Sequence, residues 1–321
     1  MKKISGLLTI TIGLIALCHA VANQISLQYI QQKEFDGRNL RLLYVISSNE
    51  AYTRYYITYK SGSYKISGIM NVPKGEGPFP AIITNHGYID TRYYFNGRGL
   101  RREQDYLARR GFVVLHPDYR NHAGSDVDLD NAFKLNLGYT EDVINAVYAI
   151  KNSSLKYIDK SKIGMLGHSL GGGIALNIMV TKPGLVNAYV LFAPTSVDFR
   201  DNYDRWIANR DPKIAQKFGT PKIRQDIIKQ YGTTSSNPEF WDNLSPKLFI
   251  SNIKDPVIVL QGTADESVPP SWARKLVEVF RKNNKTVKLV ELSGQPHEFT
   301  TGWQQAMKIT TAFFKTNLNV K

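Results

Sequence analysis

Short unbroken apolar runs recur along this chain and alternate with stretches in which apolar residues return every third or fourth position. The runs at 81–84, 112–115, 163–166, 188–192, 257–260 and 287–292 read as buried strands. Helical spacing predicts helices around 100–110, over 139–150 through Val143, Val147 and Ile150, from 174 to 180, over 271–281 and from about 303 to 314. Buried strands alternating with helices imply an α/β fold, a mostly parallel central sheet covered by helices on both faces. Upstream, residues 52–59 alternate in character, 60–63 turn, and 64–72 run on as a second strand. That hairpin is expected to form the antiparallel edge of the sheet. Residues 23 to about 50 show no clear pattern, and no internal repeat is found.

From about 199 to 250 the rhythm breaks. This stretch is rich in charge, carries Pro212, Pro221 and Pro238, and holds Tyr203, Trp206, Phe218, Tyr231, Phe240 and Trp241. So long a connection is unusual inside a compact domain. It is expected to be a small helical insert, a cap lying over the strand ends.

Composition adds further constraints. A chain of 321 residues with 42% hydrophobic content is long enough for one large α/β domain with such an insert. Residues 1–22 stand apart: Lys2 and Lys3 precede an apolar stretch, and Ala20-Val21-Ala22 precedes Asn23. This is the layout of a cleaved secretory signal peptide, which would leave 23–321 as a secreted or periplasmic domain. A lipid anchor at Cys18 is the rival reading, and the bulky Leu17 before it argues against it. Cys18 is the single cysteine, so the cleaved protein would be without disulfides. No later apolar run approaches the length of a membrane span. The formal net charge is +14, yet the basic residues are scattered in ones and twos. That dispersal argues against nucleic acid as a partner.

The chemistry gathers around Gly167-His-Ser-Leu-Gly171, a G-x-S-x-G pentapeptide between an apolar strand and a helix. Such a turn lifts the Ser169 hydroxyl above the sheet edge and sets the helix's first N–H groups beside it. Serine needs a base, and the base needs an acid to orient it, in the order Ser, Asp or Glu, His for this arrangement. Of six histidines only His297 follows Ser169, in a turn-rich loop after the last strand. Asp265 lies beyond the C-terminal end of the 257–260 strand, on the side facing Ser169, whereas Asp255 lies at its other end. Glu266 and Glu291 are weaker substitutes. An oxyanion would be received by the Leu170 N–H and by an N–H from His86-Gly87-Tyr88, for which Tyr88 is preferred. The side chains of Tyr88 or Tyr119 would line the site. Asp118 and Arg120 are expected to pair with each other as a structural ion pair. With no H-E-x-x-H and no G-x-G-x-x-G, no metal and no cofactor are expected.

Taken together, Gly167-His-Ser-Leu-Gly171, Gln261-Gly-Thr-Ala-Asp-Glu-Ser-Val-Pro269, Pro296-His-Glu-Phe299 and His116-Pro-Asp-Tyr-Arg120 resemble the catalytic domain of the prolyl oligopeptidase family. The likeness covers about residues 60 to 318. It implies an α/β-hydrolase fold, a triad of Ser169, Asp265 and His297, and hydrolysis of peptide or ester bonds in small substrates. Members of that family usually carry a large β-propeller ahead of the hydrolase domain, and the residues upstream here are too few for one. The reading is therefore a serine peptidase of short peptides, with a carboxylesterase or acetyl esterase as the alternative and a non-catalytic binding protein as a third. The oligomeric state is not legible in the sequence.

Overall fold

The computed structural model describes residues 24–208 and 220–320. The expected signal segment, Cys18, Pro212 and Phe218 lie outside those residues.

A short helix opens the described chain, α1 (Leu27–Gln32), with the Ser26 hydroxyl accepting from the Tyr29 N–H at 3.1 Å. Three strands follow, β1 (Arg38–Ser48), β2 (Tyr52–Ser61) and β3 (Tyr64–Pro73), each antiparallel to the next. Then come β4 (Phe79–Asn85), α2 (Arg101–Ala108), β5 (Val113–Pro117), α3 (Leu137–Lys151), β6 (Ile158–His168), α4 (Leu170–Thr181) and β7 (Ala188–Phe192). The irregular stretch contributes α5 (Phe199–Tyr203), a π-helical turn (Asp204–Ala208), α6 (Thr220–Tyr231), α7 (Pro238–Asp242) and two 3-10 turns. The chain closes with β8 (Val257–Gly262), α8 (Pro270–Lys282), β9 (Lys288–Leu292) and α9 (Trp303–Asn317).

Among the described residues nine strands form one sheet, in the order β1-β2-β3-β5-β4-β6-β7-β8-β9. From β5 to β9 the pairings are parallel, and β3 joins them antiparallel to β5. The expected hairpin is β2–β3, but it is not the edge. β1 lies outside it, in the stretch without a legible pattern. The reason is exposure on both faces: Leu43, Tyr44, Val45 and Ile46 are 43–58% exposed, so no alternation marks the strand.

The central strands divide their apolar residues between two cores by strict alternation. Ala81 and Ile83, Val113 and Leu115, and Ile163 and Met165 pack under α3 and α4, with α1 and α8 on the same side. Ile82, Val114, Leu166 and Leu260 face the opposite way, under α2 and α9. Every β4-to-β8 strand is thereby buried on both faces, which accounts for the unbroken apolar runs in the sequence. The aromatic residues of the irregular stretch are largely consumed in packing. Tyr203 stands 4.3 Å from Trp241 and Tyr231 stacks on Phe240 at 4.5 Å, ring centre to ring centre, and all four are buried.

Candidate active site

β6 ends at His168 and α4 begins at Leu170, so Ser169 alone makes the turn between them. Its backbone sits at φ 55, ψ −119, a left-handed conformation that costs a side-chain-bearing residue about 1–3 kcal/mol. The surroundings hold it there. The Ser169 N–H donates to the Phe192 carbonyl at 2.9 Å, and the Ser169 carbonyl accepts from the N–H groups of Gly172, Gly173 and Thr195. The flanking glycines are a steric requirement. A Cβ on Gly167 would lie 2.3 Å from the Gly171 carbonyl oxygen, and one on Gly171 only 2.0 Å from that of Asn85. The N–H of Leu170, at the helix start, has no acceptor among the described residues.

Beyond the end of β8, Asp265 reaches His297 directly, with Nδ1 of the imidazole donating to Oδ2 at 2.8 Å. Three other donors complete the carboxylate: Gln261 Nε2 on Oδ2 at 2.9 Å, and the N–H groups of Ser267 and Val268 on Oδ1 at 2.9 and 2.8 Å. Burial alone would push this carboxyl up, but the hydrogen bonds from His297 and Val268 outweigh it and hold it below its ordinary value. The donor on Nδ1 fixes the His297 tautomer, so Nε2 is free to accept a proton. His297 is buried, as is His168, whose ring centre lies 4.5 Å away and whose Nε2 donates to the His297 carbonyl at 3.2 Å. Burial pushes the His168 imidazole down to about 4. It is a neutral donor that ties the His297 loop to the residue preceding the serine.

The loop after β4 closes the third side. Gly87 approaches so tightly that a Cβ there would lie 3.2 Å from the Ser169 Cβ and 3.4 Å from His168 Nδ1. The N–H of Tyr88 has no acceptor among the described residues. Its side chain is 63% exposed and lines a cavity of about 350 Å³ together with Asp90, Arg92, His122 and Tyr139. Tyr119 is different. It is fully buried, and its hydroxyl donates to the His86 carbonyl at 3.2 Å, so it supports the loop from beneath and does not line the cavity.

Asp118 and Arg120 do not pair with each other. Tyr119 between them adopts φ 64, which turns the chain and sends the two side chains to different partners. Asp118 accepts from Ser67 Oγ, Asn96 Nδ2, the Tyr94 hydroxyl and the Gly97 N–H at 2.6–2.8 Å. Arg120 binds Asp142 at 2.8 Å, Asp128 at 3.0 Å and Glu141 at 3.3 Å. The other carboxylates are elsewhere: Asp255 accepts from the Gly184 N–H and Glu291 pairs with Arg274. Glu266 offers its carbonyl to Arg205, from the π-helical turn, which also binds the Ser267 carbonyl at 3.0 Å. Sequence reasoning passed over Gln261 and His168, although both stand inside motifs it singled out. The carbonyl that His168 reaches is brought near only by the fold, and Gln261 reaches the carboxylate four residues on only because the chain turns back beyond β8. Among the described residues, His168, His297 and Glu298 bring potential metal-ligand atoms within 4.8 Å of one another. His297 Nδ1 and His168 Nε2 are engaged in hydrogen bonds, which leaves His297 Nε2 and His168 Nδ1 as the free ring nitrogens of this group.

A sequence model described as the prolyl oligopeptidase family matches residues 98–321. The uncharacterized peptidase YuxL of Bacillus subtilis is 26% identical over 231 residues, covering 71% of this chain and 32% of that protein. The chain thus spans about a third of the length of the curated relatives it matches. Among solved structures, a putative dipeptidyl aminopeptidase IV from Bacteroides ovatus is similar at TM-score 0.65 and 19% identity, with 84% of this chain and 36% of that one covered. Acetyl xylan esterase 1 from Thermoanaerobacterium is similar at TM-score 0.63 and 21% identity, with 92% of each chain covered. Likenesses at these identities establish the α/β-hydrolase fold.

Proposed function

The chain belongs to the prolyl oligopeptidase family, and from that premise we propose that it is a serine hydrolase cleaving amide bonds of short peptides through an acyl-enzyme. Ser169 is the nucleophile, His297 the base and Asp265 the acid that orients the base. With His297 Nδ1–H held by Asp265, Nε2 takes the Ser169 proton as Oγ attacks the acyl carbonyl, then returns it to the leaving group. The Leu170 and Tyr88 N–H groups receive the oxyanion, each worth about 3–4 kcal/mol in the transition state. Water then resolves the acyl-enzyme with His297 as base. The observation that carries the proposal is the 2.8 Å Asp265–His297 pair beside a serine held at φ 55. The described residues 199–208 and 220–250 act as a cap beside this site.

A second reading, a carboxylesterase or acetyl esterase, draws support from coverage. The esterase structure is matched over 92% of its length and the dipeptidyl aminopeptidase over 36%. The deciding experiment labels purified protein with a fluorophosphonate and assays aminoacyl-arylamides beside short-chain aryl esters, with Ser169→Ala as control. Labelling lost in Ser169→Ala with arylamide turnover supports the peptidase. Ester turnover alone supports the esterase. No labelling of the wild type, or a Ser169→Ala protein that keeps its biological effect, moves the chain to a non-catalytic binding protein. The proposal includes export through a signal peptide over residues 1–22, into the periplasm or medium. N-terminal sequencing that begins at Asn23 supports it, and an intact Met1 overturns it.

A further inference from the structure

His86, the first residue beyond β4, is buried, and its neighbours prevent its ring from turning. The ring stacks on Tyr119 at 4.1 Å and is hemmed in by Tyr94, His116 and His122 at 4.9–5.4 Å. Its two nitrogens face carbonyl oxygens: Nδ1 stands 2.7 Å from that of Gly87 and Nε2 3.4 Å from that of Asp118. A carbonyl only accepts, and a neutral imidazole has one N–H. The shorter contact identifies Nδ1 as the donor, because the other tautomer would press two lone pairs together at 2.7 Å. Burial supports the neutral form, since it holds this imidazole well below its ordinary pKa.

The consequence lies in the next peptide unit. A trans peptide is planar, with its C=O and N–H pointing in opposite directions. Pinning the Gly87 carbonyl to the buried imidazole therefore turns the Tyr88 N–H away from the aromatic cluster. Ser169 lies against Gly87, within 3.2 Å of where its Cβ would be. Nothing else among the described residues takes the Gly87 carbonyl. Without His86 the 87–88 peptide is free to flip and present a carbonyl oxygen in place of a donor.

We infer that His86 is a positioning residue of the oxyanion hole, whose Nδ1–H holds the Gly87 carbonyl and thereby aims the Tyr88 N–H at the oxygen of the acyl group on Ser169. The inference rests on the serine-hydrolase reading and on Tyr88 as a donor. The imidazole neither touches the substrate nor moves a proton.

The test compares wild type, His86→Phe and His86→Asn on a short-chain aryl ester and on its thiono analogue, whose sulfur is a poor hydrogen-bond acceptor. His86→Phe keeps an aromatic ring against Tyr119 without a donor, and His86→Asn places an amide N–H near the position of Nδ1. His86→Phe is expected to lower kcat for the oxo ester about 10²–10³-fold with KM little changed. The thiono ester should lose far less, and His86→Asn should recover most of the loss. The pH profile should keep its shape, since the His86 imidazole moves no proton in the reaction. Equal losses on both esters, or a loss that follows Tm and is not recovered in His86→Asn, overturns the inference. If His86→Phe does not fold, His86→Gln, which carries its amide one bond further out, replaces it, and wild-type kcat in that variant overturns the inference. Wild-type protein that fails to react with a fluorophosphonate defeats the underlying reading instead.

Discussion

Asp265 accepts from Gln261, Ser267, Val268 and His297 at once, so replacing its carboxylate changes orientation more than packing. In Asp265→Asn one of those donors meets an NH₂ group, and His297 loses the acceptor that fixes its tautomer. kcat is expected to fall about 10⁴-fold while KM and Tm stay near wild type. Glu266→Gln and Glu291→Gln, at the neighbouring carboxylates, of which Glu291 pairs with Arg274, should leave the rate unchanged, and a large loss in either would reassign the acid. The residues proposed as the triad could be singled out in the sequence because each sits in a short motif beyond a strand, in a fixed order. The partners of Asp118 and Arg120 were not. Tyr119 at φ 64 turns the chain between them, and no spacing rule announces a left-handed tyrosine. His86 was named for its loop alone, because a bond to the adjacent carbonyl leaves no periodic trace.

At the scale of elements, the run of glycines after Ser169 is uneven in what it must do. A methyl on Gly171 meets the Asn85 backbone at 2.0 Å, and one on Gly172 meets Pro194 at 2.8 Å. On Gly173 the closest obstacle is Thr195 Oγ1, a side-chain atom that can rotate aside. Gly171→Ala is therefore expected to cost roughly 1–3 kcal/mol or more, and Gly173→Ala to be close to neutral. Thermal unfolding of the two variants checks the contrast, and equal shifts would contradict it. The parallel strands were legible because burial on both faces turns them into unbroken apolar runs. β1 was not, for the opposite reason. Helices in the described parts of 199–250 were to be expected from its length and composition. Its grip on the Asp265 loop, through Arg205 and the Trp206–Trp272 contact at 5.2 Å, did not.

For the whole molecule, the common feature is buried imidazole. His86, His116, His122 and His168 are all buried, and burial lowers each of them, His116 to about 3 and His168 to about 4. In the unfolded chain such groups protonate near pH 6.5. Between that pH and the folded values the unfolded state binds more protons, so stability falls as the pH drops. Each fully mismatched group contributes about 1.4 kcal/mol per pH unit. The urea midpoint should fall steadily from pH 6.5 to 4.5, less steeply in His116→Gln, and a flat wild-type midpoint would refute the account. The open flank of the sheet sets a different limit. Among the described residues no strand lies outside β1, whose outer main-chain groups and exposed Leu43, Tyr44, Val45 and Ile46 stand at the rim farthest in strand order from β9. Such a rim is a template for stacking chain upon chain. In concentrated stocks, turbidity should therefore grow from this margin while the chemistry is still intact. A lysine at position 45 (Val45→Lys) is expected to lengthen the shelf life of the protein without altering its turnover.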